Sequence, residues 1–156
     1  MICKPIKANL NSVKGIARHK RKKVKDMLTP DGKNIFKKTK GCENHINYDL
    51  YDLTPKETGF KRLVFVLNII HPGKVGKEFK MTTGHSHVGQ DEFYFFLKGK
   101  GKMILISPKK KKIVYNVKPN DLVTVPSGYW HRAANNSNKE LVFINFFEGK
   151  LPKSRK

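Results

Sequence analysis

From residue 46 onward the chain is cut into short apolar runs by turn residues, and this punctuation limits the fold more than any other feature. Runs rich in Val, Ile, Leu, Phe and Tyr occupy 46–53, 62–71, 77–83, 92–98, 101–107, 112–117, 121–125, 130–134 and 140–147. Pro72-Gly73, Gly99 to Gly101, Ser107-Pro108, Pro119-Asn120 and Pro126 to Gly128 separate them. Short runs of β-branched and aromatic residues bounded by Gly and Pro read as strands. Eight or nine such strands with almost no helical periodicity mean an all-β sandwich or barrel. In 92–98 the alternation places Glu92, Tyr94 and Phe96 on one face and Phe93, Phe95 and Leu97 on the other. Both sets carry apolar side chains, which suits a barrel or a sheet covered on both faces.

Residues 1–45 have a different texture, polar and basic with few apolar periods. They read as an N-terminal arm, in which Val24 to Met27 and Ile35-Phe36 are expected to form short edge pairings. Residues 46–150 then form the barrel and 151–156 a basic tail. A chain of 156 residues with ten Phe and five Tyr has enough apolar surface for one core without disulfide staples. Two cysteines, Cys3 and Cys42, are too few for a disulfide framework. The start lacks the apolar stretch of a signal peptide, and no run approaches the roughly 20 apolar residues of a membrane helix. The expectation is a soluble cytoplasmic protein with reduced thiols and no membrane partner.

Lys and Arg number 33 against 12 acids, a formal charge of +21. Basic stretches lie at 18–23, 109–112 and 153–156. Such a field attracts polyanions and anionic small molecules. Nucleic-acid motifs and helical groove readers are missing, so the favoured reading is a solvated surface with non-specific polyanion binding.

The residues that carry chemistry begin at Gly84-His85-Ser86-His87. Residues i and i+2 of a strand point to the same face, so His85 and His87 can share one ion. Glu92 opens the next strand run, and His131 follows Pro126 to Trp130. Three imidazoles and a carboxylate suit one divalent transition metal such as iron, manganese, nickel or zinc, with room for water or substrate. His19, His45 and His71 have no such partners in the sequence and read as structural or exposed.

This spacing resembles the two motifs of the cupin superfamily, a double-stranded β-helix or jelly-roll barrel. His85, His87, Glu92 and Gly99 match the first; Pro126, Gly128, His131 and Asn135 match the second. Phe79 and Asn120 stand where those motifs have glycine, and Asn tolerates left-handed geometry. A closer resemblance is to the archaeal-type phosphoglucose isomerases, in the PGKVGKEF, TxGHxH and ExYxxLKGKG runs within 71–106, in VPSGYWHRAAN and in LVFINFF. It implies a metal-dependent isomerase that interconverts glucose 6-phosphate and fructose 6-phosphate. It further implies Glu92 as the catalytic carboxylate and a homodimer as the assembly. By the same resemblance Thr82 and Gly84 contact the phosphate, Tyr48 and Tyr94 line the sugar pocket, and Asn68 replaces a threonine at the phosphate. Phe147 stands where the family has a tyrosine. The family's C-terminal segment has no counterpart before Lys156, so part of the pocket wall is expected to be absent. A metal-binding cupin that binds or senses an anionic metabolite without isomerase activity is the second reading, and an oxygen-using dioxygenase the third.

Overall fold

The computed structural model describes residues 18–54 and 63–149. The tail at 151–156 and Cys3 lie outside the described residues. Eleven strands run in the order β1 (Arg18–Lys23), β2 (Ile46–Asp52), β3 (Leu63–Ile70), β4 (Lys74–Val75), β5 (Glu78–Phe79), β6 (Glu92–Lys98), β7 (Gly101–Ile106), β8 (Lys112–Val117), β9 (Leu122–Val125), β10 (Trp130–Ala134) and β11 (Leu141–Glu148). One three-residue 3-10 turn, Val24–Asp26, is the only helical element among the described residues.

Two antiparallel sheets enclose the core. The larger has the order β1-β2-β3-β11-β6-β9 and the smaller β10-β7-β8, with β4-β5 as a separate hairpin. Chain neighbours β1-β2, β2-β3 and β7-β8 pair directly, whereas β11 inserts between β3 and β6, and β10 returns to β7. Ile70, Phe96, Met103, Leu105, Val117, Val125, Leu141 and Phe143 fill the space between the sheets. Phe93 lies on the outer face, stacked on Phe146 with ring centroids 5.2 Å apart, and Phe146 in turn meets Phe65 at 5.9 Å. The two apolar sets of 92–98 thus serve two packing layers.

Two turns depend on left-handed backbone. Asn120 adopts φ +73° between β8 and β9, where the cupin motif has glycine. Gly99 has φ +83°, and a Cβ there would stand 2.1 Å from the Glu140 carbonyl oxygen. A side chain at Gly99 would therefore displace the start of β11.

The basic N-terminal stretch differs from the expectation. Lys-rich sequence disfavours strands, yet 18–23 forms β1 on the sheet edge. The reason lies in β2, whose acids receive it. Arg18 pairs with Asp52, and Arg21 Nε donates to Asp49 Oδ1 at 2.8 Å. Of the pairings expected at Val24 to Met27 and Ile35-Phe36, Ile35 N–H donates to Met27 O at 2.8 Å beside an isolated Leu28–Asn34 bridge, but Val24 to Asp26 form no strand. The 3-10 turn instead buries Val24 and Met27 completely, and Phe36 is 3% exposed. These three belong to the main core, so the described part of the arm plugs one side of the barrel. The expected strand at 77–83 shrinks to Glu78–Phe79 plus a bridge from Met81 to Ala134, because Gly76 and Gly84 bound a segment that turns onto β10.

Candidate metal centre

His85, His87, Glu92 and His131 converge, with their ligand atoms all within 4.8 Å of one another. Each is placed by a distinct piece of backbone. His131 lies on β10, and His85 forms an antiparallel bridge to it: His85 N–H donates to His131 O at 3.2 Å and His131 N–H to His85 O at 2.9 Å. Their rings lie 4.5 Å apart, centroid to centroid. His87 is held by the facing loop, where Gly128 N–H donates to its carbonyl at 2.7 Å. Ser127 Oγ accepts from Gly89 N–H, and Asp91 Oδ1 accepts from Ser127 N–H, which ties the two motif loops together. Glu92 opens β6 and is 1% exposed, as is His131.

The polar partners fix how the donors point. His131 Nδ1 lies 3.0 Å from Tyr129 O and His85 Nδ1 3.2 Å from Thr83 O. A carbonyl only accepts, so both Nδ1 atoms carry protons and both Nε2 atoms present lone pairs. The His131 Nε2 faces Glu92 Oε2 at 3.0 Å, and His87 Nε2 faces Glu92 Oε1 at 2.9 Å. His87 Nε2 and Glu92 Oε1 are buried without a hydrogen-bond partner among the described residues. Buried acceptors turned towards one another call for a cation, so this donor set fits a divalent ion.

Burial alone would push the Glu92 carboxyl up. The hydrogen bonds it receives, among them one from the Tyr94 hydroxyl to Oε2 at 2.7 Å, outweigh burial and hold the group well below the usual carboxylate range. Burial pushes the His85 imidazole down, with the His131 ring adding to the effect, although part of His85 reaches solvent at the cavity mouth. Both shifts favour the forms that bind metal, an ionised carboxylate and a neutral imidazole.

The centre opens into a cavity of about 170 Å³, whose further lining includes Tyr48, Asn68, Thr82, Thr83, Asn145 and Phe147. Of the residues implied by resemblance, Tyr48, Asn68, Thr82 and Tyr94 line it. Gly84 sits beside it for a steric reason, since a Cβ there would come within 1.8 Å of the Trp130 ring. Phe147 stacks on His87 with ring centroids 5.7 Å apart. Among the described residues no Lys or Arg lines this cavity. Lys74 lies over the Phe79 ring, its Nζ 4.8 Å from the centroid.

Thr83 and Asn145 escaped the sequence reading. Asn145 is polar within the apolar run LVFINFF, and that contrast was the available signal. Asn135, the last residue of the second motif, is fully buried and donates to Ile70 O and Lys139 O, so it braces the turn before β11. His19 and His71 lie away from the centre. Both contact Asp49, at 2.7 and 2.8 Å, and His45 is exposed.

Comparison with known proteins places this geometry. The family model described as glucose-6-phosphate isomerase matches residues 20–152. The glucose-6-phosphate isomerase of Thermococcus litoralis is 31% identical over 149 residues, covering 92% of this chain and 78% of its own. That of Thermococcus gammatolerans is 36% identical over 107 residues, but the match covers 67% of this chain and 56% of the relative. The chain thus spans little more than half the length of some of its relatives. Among solved structures, Bacillus subtilis oxalate decarboxylase, a protein with Mn(II) centres, superimposes with a TM-score of 0.57 at 22% identity, over 69% of this chain and 27% of that one. That likeness shows the cupin barrel. With the family match spanning nearly the whole sequence, the chain belongs to the glucose-6-phosphate isomerase family and builds it on a cupin barrel.

Proposed function

We propose that this protein is a metal-dependent sugar-phosphate isomerase that interconverts glucose 6-phosphate and fructose 6-phosphate in the cytoplasm, as a homodimer. The observation that carries the reading is the convergence of His85, His87, Glu92 and His131 within 4.8 Å, in a chain that matches the isomerase family. One divalent ion, iron, manganese, nickel or zinc, would be held by these four side chains. When bound, such an ion supplies a Lewis acid that polarises the sugar carbonyl.

The chain's own residues divide the remaining work. Glu92 Oε2 is engaged by the Tyr94 hydroxyl and faces His131. Oε1 lacks a hydrogen-bond partner among the described residues, so it is the oxygen left to carry a proton between C1 and C2. The Tyr94 hydroxyl keeps the carboxylate oriented and ionised. Tyr48, Phe143 and Phe147 exclude water from the reacting carbons, and Thr82 and Asn68 line the region assigned to the anionic end.

A coupled assay that follows fructose 6-phosphate to glucose 6-phosphate tests this. Protein reconstituted with each of the four metals in turn is expected to turn over with at least one. No conversion with any of them would leave a metal-binding cupin without this activity. Glu92→Gln is expected to lower turnover sharply while retaining the fold, because an amide cannot accept the proton. Parental turnover in Glu92→Gln would assign hydrogen transfer to a hydride shift between the carbons.

A further inference from the structure

The resemblance assigns Asn68 to the anionic end of the substrate, but its amide is already committed. Asn68 Nδ2 donates to Asn145 Oδ1 at 2.7 Å and to Val66 O at 3.3 Å. A carboxamide nitrogen has two N–H bonds, and both are spent here. What Asn68 still offers is its carbonyl oxygen, an acceptor, which an anion repels. Asn145 is its complement. Its Oδ1 receives the Asn68 amide, while no acceptor among the described residues pairs with its Nδ2. Two donors therefore remain on a residue that lines the metal cavity.

The register gives the position. On β11, Phe147 pairs with Glu92 and Asn145 with Tyr94. Both Glu92 and Asn145 line the cavity, so they share the inner face. Asn145 stands two residues along the strand from the position opposite the carboxylate, a displacement of about 6.6 Å. A sugar held by its first two oxygens at the metal centre can extend its far end across that interval. Among the described residues no Lys or Arg lines the cavity, so the donors seen there for an anionic group are neutral, aided by the field of the +21 surface. Thr82 adds a hydroxyl: its Oγ1 accepts from Ala133 N–H at 3.1 Å, which leaves its own hydrogen to donate.

We propose that Asn145, oriented by Asn68, is the residue that grips the anionic end of the substrate. The inference rests on the sugar-phosphate reading above and names the donor for it. Asn68 is then a positioning residue that turns the Asn145 amide so that N–H, not C=O, faces the ligand.

The test compares two ligands that differ only in the phosphate, 6-phosphogluconate and gluconate, by calorimetry on metal-loaded protein. The quantity read is the ratio of their dissociation constants. In the parent, 6-phosphogluconate binds the more tightly. In Asn145→Ala the ratio shrinks about tenfold, the scale of one lost hydrogen bond to a charged group, while gluconate affinity and metal content stay at parental values. Asn68→Ala shrinks the ratio as well, by releasing the Asn145 amide. Asn145→Asp, equal in size but without donors, removes the preference. The proposal is overturned if the parent does not distinguish the two ligands, if the variants keep the parental ratio, or if both ligands weaken equally. A protein that fails to isomerise yet shows the shifted ratio would sink the isomerase reading and leave the Asn145 subsite standing.

Discussion

Asp49 is the charge on which the edge of the large sheet depends, and its removal has a calculable signature. The carboxylate is 3% exposed. It accepts from Arg21 Nε at 2.8 Å and lies 2.7 Å from His19 Nε2 and 2.8 Å from His71 Nε2. Burial would raise its pKa, but these three partners outweigh it and hold the carboxyl at about 2 against an ordinary 3.8. A depressed folded-state value contributes stability that is present above the unfolded pKa and lost as pH falls through the folded one. The shift is worth about 2 kcal/mol at neutral pH, about half of that at pH 3, and little at pH 2. Asp49→Asn should therefore cost about 2 kcal/mol at pH 7 in urea titrations, and the gap between parent and variant should narrow to about half by pH 3. A gap that does not change between pH 7 and pH 3 would refute the electrostatic account of how β1 is fastened. A variant as stable as the parent at pH 7 would do the same.

Three further outcomes follow from the geometry. Tyr94→Phe removes the donor on Glu92 Oε2 and should weaken metal affinity about 10- to 100-fold in competition with a chelator, with little change in melting temperature. Gly84→Ala should cost about 1–3 kcal/mol in thermal unfolding, since its Cβ meets the Trp130 ring at 1.8 Å, and should also lower metal occupancy through the adjacent His85. Duplex DNA should bind weakly, without sequence preference, and release steeply as salt is raised in a titrated binding assay, because Lys109 to Lys111 are exposed and the excess charge is spread over the surface.

The strands and the convergence of His85, His87, Glu92 and His131 were legible because each leaves a local signal. Alternation and turn residues marked β6 to β11 to within a residue or so; the HxH spacing brought His85 and His87 together as expected, but on an isolated bridge and a loop rather than on a strand. The function of 18–36 was not legible, for a reason that is not local. Nothing within RHKRKK favours a strand; the cause is Asp49 and Asp52, thirty residues away. Likewise Val24, Met27 and Phe36 are isolated apolar residues in a polar stretch, and only the opening in the barrel shows that they fill it. Asn145 was hidden because a buried amide inside a hydrophobic strand declares its partner, Asn68, only once β11 has paired with β3.

The central claim is that one ion held by His85, His87, Glu92 and His131 confers the isomerase activity. It is tested most directly by stripping the protein of metal and following the isomerisation rate as a divalent ion is returned. The account predicts a rate that rises in proportion to added metal and saturates at one ion per chain, with no recovery in a variant carrying alanine at His85, His87 and His131. A stripped protein that isomerises at the full rate, or a triple variant that recovers with the parent's stoichiometry, would contradict it.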